Sequence, residues 1–180
     1  MVRLRRELRG NRARPCQHSC RMPEASLHID APPQRVWSLV SDVTRMGEWS
    51  PVCYRCEWVE GSSGPAVGAK FKGYNRQGAL KWWTTCEITA SEPGRVFEFR
   101  TVDGQFSIGY RNKEMTRWRY EFMADGIGTN VVESSKIVSF PPLLRLVAPL
   151  LRRQDAQRTE GMRETLERLR KAAEGEPSTD

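Results

Sequence analysis

The sequence predicts an α+β fold: a curved antiparallel sheet held against one long helix. Three observations lead there. Between residues 52 and 140 the chain alternates apolar and polar side chains in short runs separated by turn residues. The turns are too short for crossovers, so neighbouring strands must be antiparallel. Residues 155–173 then place Met162, Leu166, Leu169 and Ala173 at three- and four-residue spacing among charges, the pattern of one amphipathic helix.

In chain order, ASLHID (25–30) reads as a first strand with Leu27 and Ile29 on one face and His28 outward. APPQRVWSLVSD (31–42) opens a helix. Pro32 and Pro33 suit its first turn, and Val36, Trp37 and Val40 form its buried stripe. Asp42 is placed to cap a second short helix through Met46, which Gly47 ends, and Pro51 forbids continuation beyond Trp49. The strands follow at 52–60, 69–75, 80–90, 96–102, 107–111, 116–124 and 129–140. The breaks fall at 61–65, 76–78, 92–94, 103–104, 111–113 and 125–126. Gly161 costs the long helix about 1 kcal/mol relative to alanine, which close approach to the sheet would offset.

The 180 residues allow one domain with tails, read as a disordered basic tail at 1–22, a folded domain at 23–174 and a disordered end at 175–180. The formal charge of +7 is concentrated at the start: residues 1–21 hold seven arginines against the single acid Glu7. The folded body is therefore nearly neutral, which argues against nucleic acid as a partner. Met22 offers a second start, leaving 1–21 as a leader. No membrane-spanning run and no signal-peptide pattern occurs, so no membrane insertion is expected and a cytoplasmic protein is. Five cysteines without an export signal read as reduced thiols. Cys53 and Cys56 lie three apart on an alternating strand, hence on opposite faces, and Cys16-x-His18-x-Cys20 has no second ligand pair. No metal and no cofactor is expected.

The alternation assigns inward sets: Tyr54, Cys56 and Trp58; Phe71, Gly73 and Asn75; Trp82, Thr84, Cys86 and Ile88; Phe97, Phe99 and Thr101; Trp118, Tyr120 and Phe122; Val131, Glu133, Ser135 and Ile137. Trp83 then faces out. The sets mix rings with scattered polar groups. In a dry core Asn75, Glu133 and the Tyr120 hydroxyl would each cost ~1–3 kcal/mol if unpaired. Apolar walls with a few directed polar atoms describe a ligand cavity. Trp49, at the end of the second helix, is expected to close one end of it, with Met162 facing it from the long helix. The apolar stretch 140–151, broken by prolines, is a candidate lid. The alternatives are a solid core, an arginine partner such as Arg100 or Arg117 for Glu133, and a plain packing segment at 140–151.

The segments IDAPPQRVWSLVSDVTRMGEW (29–49), VGAKFKG (67–73), EPGRVFEF (92–99), GTNVVES (128–134) and GMRETLERLRKAAE (161–174) resemble the SRPBCC superfamily. This group includes START domains, birch-pollen-allergen-like proteins and polyketide cyclase/dehydrase-like proteins. The resemblance covers roughly 24–174, is nearest to small cyclase/dehydrase-like proteins of actinobacterial type, and implies the helix-grip fold.

Catalytic motifs are few. There is no G-x-S-x-G elbow and no phosphate loop, and His18 and His28 are the only histidines. The leading expectation is therefore binding or transport of a small hydrophobic molecule (a lipid, polyketide or aromatic metabolite) by Trp49, Tyr54, Trp58, Phe71, Asn75, Trp82, Thr84, Phe97, Phe99, Trp118, Tyr120, Glu133 and Met162. The resemblance also implies an enzymatic alternative, a cyclase or dehydratase with Glu133 as base, Tyr120 as acid or oxyanion donor and Asn75 as orienter. A third reading is a regulatory interaction module acting through Trp83, the 140–151 segment or the basic arm.

Overall fold

The computed structural model of the chain describes residues 23–106, 111, 112, 116–138 and 148–175. Strand β1 (Glu24–Ile29) leads into helix α1 (Pro33–Ser41), a 3-10 turn (Val43–Arg45) and the single-turn helix α2 (Met46–Trp49). Strands β2 (Cys53–Val59), β3 (Lys70–Gln77), β4 (Leu80–Glu92), β5 (Val96–Phe106), β6 (Arg111–Asn112), β7 (Thr116–Asp125) and β8 (Gly128–Ile137) follow, then helix α3 (Ala148–Gly175). All pairings are antiparallel, in the order β1-β8-β7-β5-β4-β3-β2, with β6 paired to the end of β5. This is the helix-grip arrangement: a curved sheet around one long helix.

Local chemistry explains the entry to the fold. Pro32 stands extended before α1, and Pro33 takes its first turn, where no backbone N–H is needed. Asp42 accepts from the Thr44 N–H at 3.2 Å and caps the 3-10 turn. Gly47 lies within α2 rather than ending it. A Cβ there would stand 2.6 Å from the Tyr54 carbonyl oxygen, so the glycine lets α2 press onto β2.

Helix α3 has β1, α1, α2 and β8 as its nearest elements. Its stripe of Met162, Leu166, Leu169 and Ala173 is buried against Ile29, Val36 and Val131. Arg35 Nε donates to the Ala173 carbonyl at 2.7 Å, and the Asp30 N–H donates to Glu174 at 3.0 Å, fixing the C-terminal end of the helix. Trp37 Nε1 donates to the Val96 carbonyl at 3.1 Å, tying α1 to β5. Strands β3 and β4 and most of β5 stand away from α3, and the space between them stays open.

Four expectations are corrected here. Strand β5 runs through Asp103-Gly104 instead of turning. Both residues have ladder partners in β4, Thr85 and Thr84, and Gly104 pairs with Asn112 as well. Two-sided pairing outweighs the local turn preference. The long helix starts at Ala148, not 155. Gly161 approaches not the sheet but Pro51, whose Cγ would lie 3.7 Å from an added Cβ. Finally, β2 carries a bulge: Cys53 opposes Asn75, Arg55 opposes Tyr74, and Tyr54 is the extra residue. The bulge shifts the phase of the strand's start, so Tyr54 points outward and is 54% exposed. The expected tail at 1–22, residues 176–180 of the tail expected at 175–180, residues 107–110 of the strand expected at 107–111, and 140–147 of the expected lid lie outside the described residues.

Candidate functional site

A cavity of about 440 Å³ lies between the inner face of β2–β5 and β7 and one side of α3. Four of its lining residues, Pro51, Gln77, Leu80 and Gln157, are exposed and mark its mouth. Phe71, Trp82, Phe99, Trp118 and Met162 form the apolar wall. Phe71 and Phe99 meet edge to face with centroids 5.1 Å apart, which fixes both rings.

A polar track crosses this wall. Asn75 Nδ2 donates to the Gly73 carbonyl at 3.3 Å and lies 3.5 Å from Thr84 Oγ1. Thr101 Oγ1 and Thr116 Oγ1 share a hydrogen bond of 3.1 Å, with the Cys86 thiol 3.9 Å from Thr101. Burial pushes the Cys86 thiol up to about 12, so it is an inert neutral group.

The strongest electrostatic feature is Glu133. Its β8 position alternates inward with Val131 and Ser135, leaving it 2% exposed. The Tyr120 hydroxyl donates to Oε1 at 2.7 Å from the facing position on β7. Among the described residues nothing pairs with Oε2. Burial raises the carboxyl to about 8 despite the Tyr120 hydrogen bond, which pulls the other way. Burial and the adjoining carboxyl likewise hold the Tyr120 hydroxyl well above its ordinary range. At neutral pH the pair is therefore mostly neutral, and Glu133 retains a proton to donate. Neither arginine considered as its partner takes that place: Arg100 lies 3.5 Å from Glu87, and Arg117 lies 3.8 Å from Glu98.

Of the residues singled out from sequence, Phe71, Asn75, Trp82, Thr84, Phe99, Trp118, Tyr120, Glu133 and Met162 come together on this wall. Four do not. Tyr54 is outside because of the bulge. Phe97 is fully buried behind Phe99, 5.8 Å between centroids, in the closed core. Trp58 packs its edge on Phe71 at 6.1 Å and stays partly covered, off the lining. Trp49 is buried at 2% exposure under the Arg45 guanidinium, while its neighbours Met46, Ser50 and Pro51 take the rim it was expected to occupy.

Sequence reasoning missed Arg158 and Thr165, which share the cavity side of α3 with Met162. Their spacing of 158, 161, 162 and 165 is itself helical and could have exposed them. It also missed Cys53, whose Sγ lies 3.3 Å from that of Cys56. The bulge, not the spacing, puts both on the inner face. Opposite them, Gly73 has no side chain: a Cβ there would stand 3.4 and 3.5 Å from the two sulfurs. Among the described residues no cluster of three or more His, Cys, Asp or Glu side chains is arranged to hold a metal ion.

The family described as polyketide cyclase / dehydrase and lipid transport matches residues 24–174. Solved structures share the architecture. TTHA0849 from Thermus thermophilus is 18% identical, with a TM-score of 0.64, over 84% of this chain and 96% of that one. A conserved protein from Geobacillus kaustophilus is 14% identical, with a TM-score of 0.62, over 84% and 94%. The di-domain ARO/CYC StfQ from the steffimycin biosynthetic pathway is 13% identical, with a TM-score of 0.57, over 84% of this chain and 44% of that one. These likenesses establish the fold alone. No curated protein matches the chain.

Proposed function

The chain belongs to the polyketide cyclase / dehydrase and lipid transport family, and from that premise we propose that it binds a small hydrophobic molecule in the cavity under α3. The observation that carries the reading is an aromatic-walled space of about 440 Å³ with a mouth and the hydrogen-bonded Tyr120–Glu133 pair among its lining residues. That volume falls in the range of small-molecule sites. The guest is an apolar body bearing a hydrogen-bond acceptor such as a carbonyl, which the neutral Glu133 meets as donor. Lipids, polyketides and aromatic metabolites all fit this description. Among the described residues no helix is long and apolar enough to cross a membrane, and the reading places the protein in the cytoplasm.

Native mass spectrometry of gently purified protein tests this, together with quenching of the six tryptophans by palmitate and by 1,8-dihydroxynaphthalene. A co-purifying mass or saturable quenching is expected. The absence of any bound mass, together with no quenching by either probe, would contradict the reading.

One observation favours a catalytic second reading. Tyr120 and Glu133 form a buried acid–base pair, and both residues line the cavity, the arrangement that moves a proton on a held keto compound. Asn75 would orient such a compound from β3. If so, Glu133→Gln keeps binding within about threefold and loses turnover by a factor on the order of 10²–10⁴. Equal loss of both would leave Glu133 a binding group only.

A further inference from the structure

The C-x-x-C pair of β2 has no role in ligand binding as described, yet its geometry is specific. The bulge at Tyr54 turns Cys53 and Cys56 to the same face, opposite Asn75 and Gly73. Their sulfurs lie 3.3 Å apart, closer than two unbonded sulfurs usually pack, and both thiols line the cavity that opens at Pro51 and Gln77. A small reagent entering the mouth therefore reaches them although the outer surface does not expose them. Among the described residues no third His, Cys, Asp or Glu joins them to form a group that could hold a metal ion.

We propose that Cys53 and Cys56 are an oxidisable dithiol on the cavity wall, converted to an intramolecular disulfide by a peroxide or a small-molecule disulfide. The two thiols are chemically unequal. Their shared hydrogen bond holds the Cys53 thiol below its ordinary range, while that same hydrogen bond and burial push Cys56 up. Cys53 is thus the attacking sulfur. With hydrogen peroxide, the Cys53 thiolate attacks one oxygen, the O–O bond breaks, and a sulfenic acid and hydroxide form. The Cys56 sulfur then attacks the sulfenic sulfur and the S–O bond breaks. Two thiols and one peroxide yield one disulfide and two waters. With oxidised glutathione, Cys53 displaces one glutathione as a thiol and Cys56 displaces the second, so the glutathione is reduced as the pair is oxidised. The bond draws the sulfurs to about 2.05 Å. It also ends the Cys56 contact to Met46 Sδ, now 3.8 Å, which joins β2 to α2 at the cavity wall. The inference does not depend on what the cavity binds.

The test uses the full chain carrying Cys16→Ser and Cys20→Ser, which leaves Cys53, Cys56 and Cys86. The folded protein is treated with hydrogen peroxide or oxidised glutathione, then alkylated in denaturant and mapped by peptide mass. The free-thiol count is expected to fall from three to one. The peptide holding residues 53–56 should be lighter by two hydrogens, and dithiothreitol should reverse the change. Adding Cys56→Ser should trap a glutathione adduct on Cys53. Adding Cys53→Ser instead should slow the reaction of Cys56 at least tenfold. Retention of all three thiols would overturn the proposal. So would separate capping or over-oxidation of both residues without a bridge.

Discussion

The two ends of the space between helix and sheet are built differently. At the closed end α3 lies near β1, β8 and α1, and the residues are Ile29, Val36, Val131, Leu166 and Leu169, all essentially free of solvent. Two polar groups there are tied to backbone carbonyls: Thr129 Oγ1 donates to that of Ala31 at 2.7 Å, and Trp37 Nε1 to that of Val96. At the open end α3 stands off from β3, β4 and most of β5. There the walls are rings, thiols and hydroxyls, and the carboxyl of Glu133 keeps one oxygen without a partner among the described residues. Aliphatic side chains interdigitate and close a gap, whereas flat rings on a concave sheet line one. The closed end supplies stability, and the open end holds polar groups at a cost to stability that a guest can offset.

If that division is right, the largest stability effect belongs to the closed end. Leu169→Ala removes a fully buried side chain where neighbours are tightly packed. It should destabilise the fold by about 2–5 kcal/mol in urea unfolding. A loss well under 1 kcal/mol would show that the closed end is not closed.

The next effect sits at the open end and depends on pH. Glu133 rises from the usual 4.5 to about 8 on folding, so the folded chain binds more protons than the unfolded one between those values. Stability from this group is full below about pH 4.5 and falls, by up to about 1.4 kcal/mol per pH unit, as pH rises towards 8. Glu133→Gln retains an acceptor for Tyr120 and removes the titration. The variant's unfolding free energy should therefore decline less than the wild type's between pH 5 and 8. Parallel curves would mean that Glu133 is solvated in the folded state.

How much of this can be read in the sequence follows the same division. Alternation sets the inward faces of β3, β4, β7 and β8, which is why Phe71, Trp82, Tyr120 and Glu133 can be grouped from sequence. Face does not give depth along the strand, however. Phe97 and Phe99 share a face, yet Phe97 lies in the closed core and Phe99 on the cavity wall. The bulge in β2 is invisible in sequence because Tyr54, Cys56 and Trp58 alternate as a regular strand would. Only the pairing with β3 reveals the extra residue. Trp49 escapes sequence reasoning for a tertiary reason: a single-turn helix sets its side-chain directions by what it packs on, and no local pattern records that.

The open end carries the central claim, and the tryptophan indoles report on both ends at once. Trp82 and Trp118 line the cavity, while Trp37 is hydrogen-bonded in the closed end. In ¹H–¹⁵N spectra titrated with palmitate and with 1,8-dihydroxynaphthalene, the indole signals of Trp82 and Trp118 should move saturably and that of Trp37 should stay. Movement of Trp37 with Trp82 and Trp118 unchanged, or no movement of any indole with either probe, would contradict a guest held between sheet and helix.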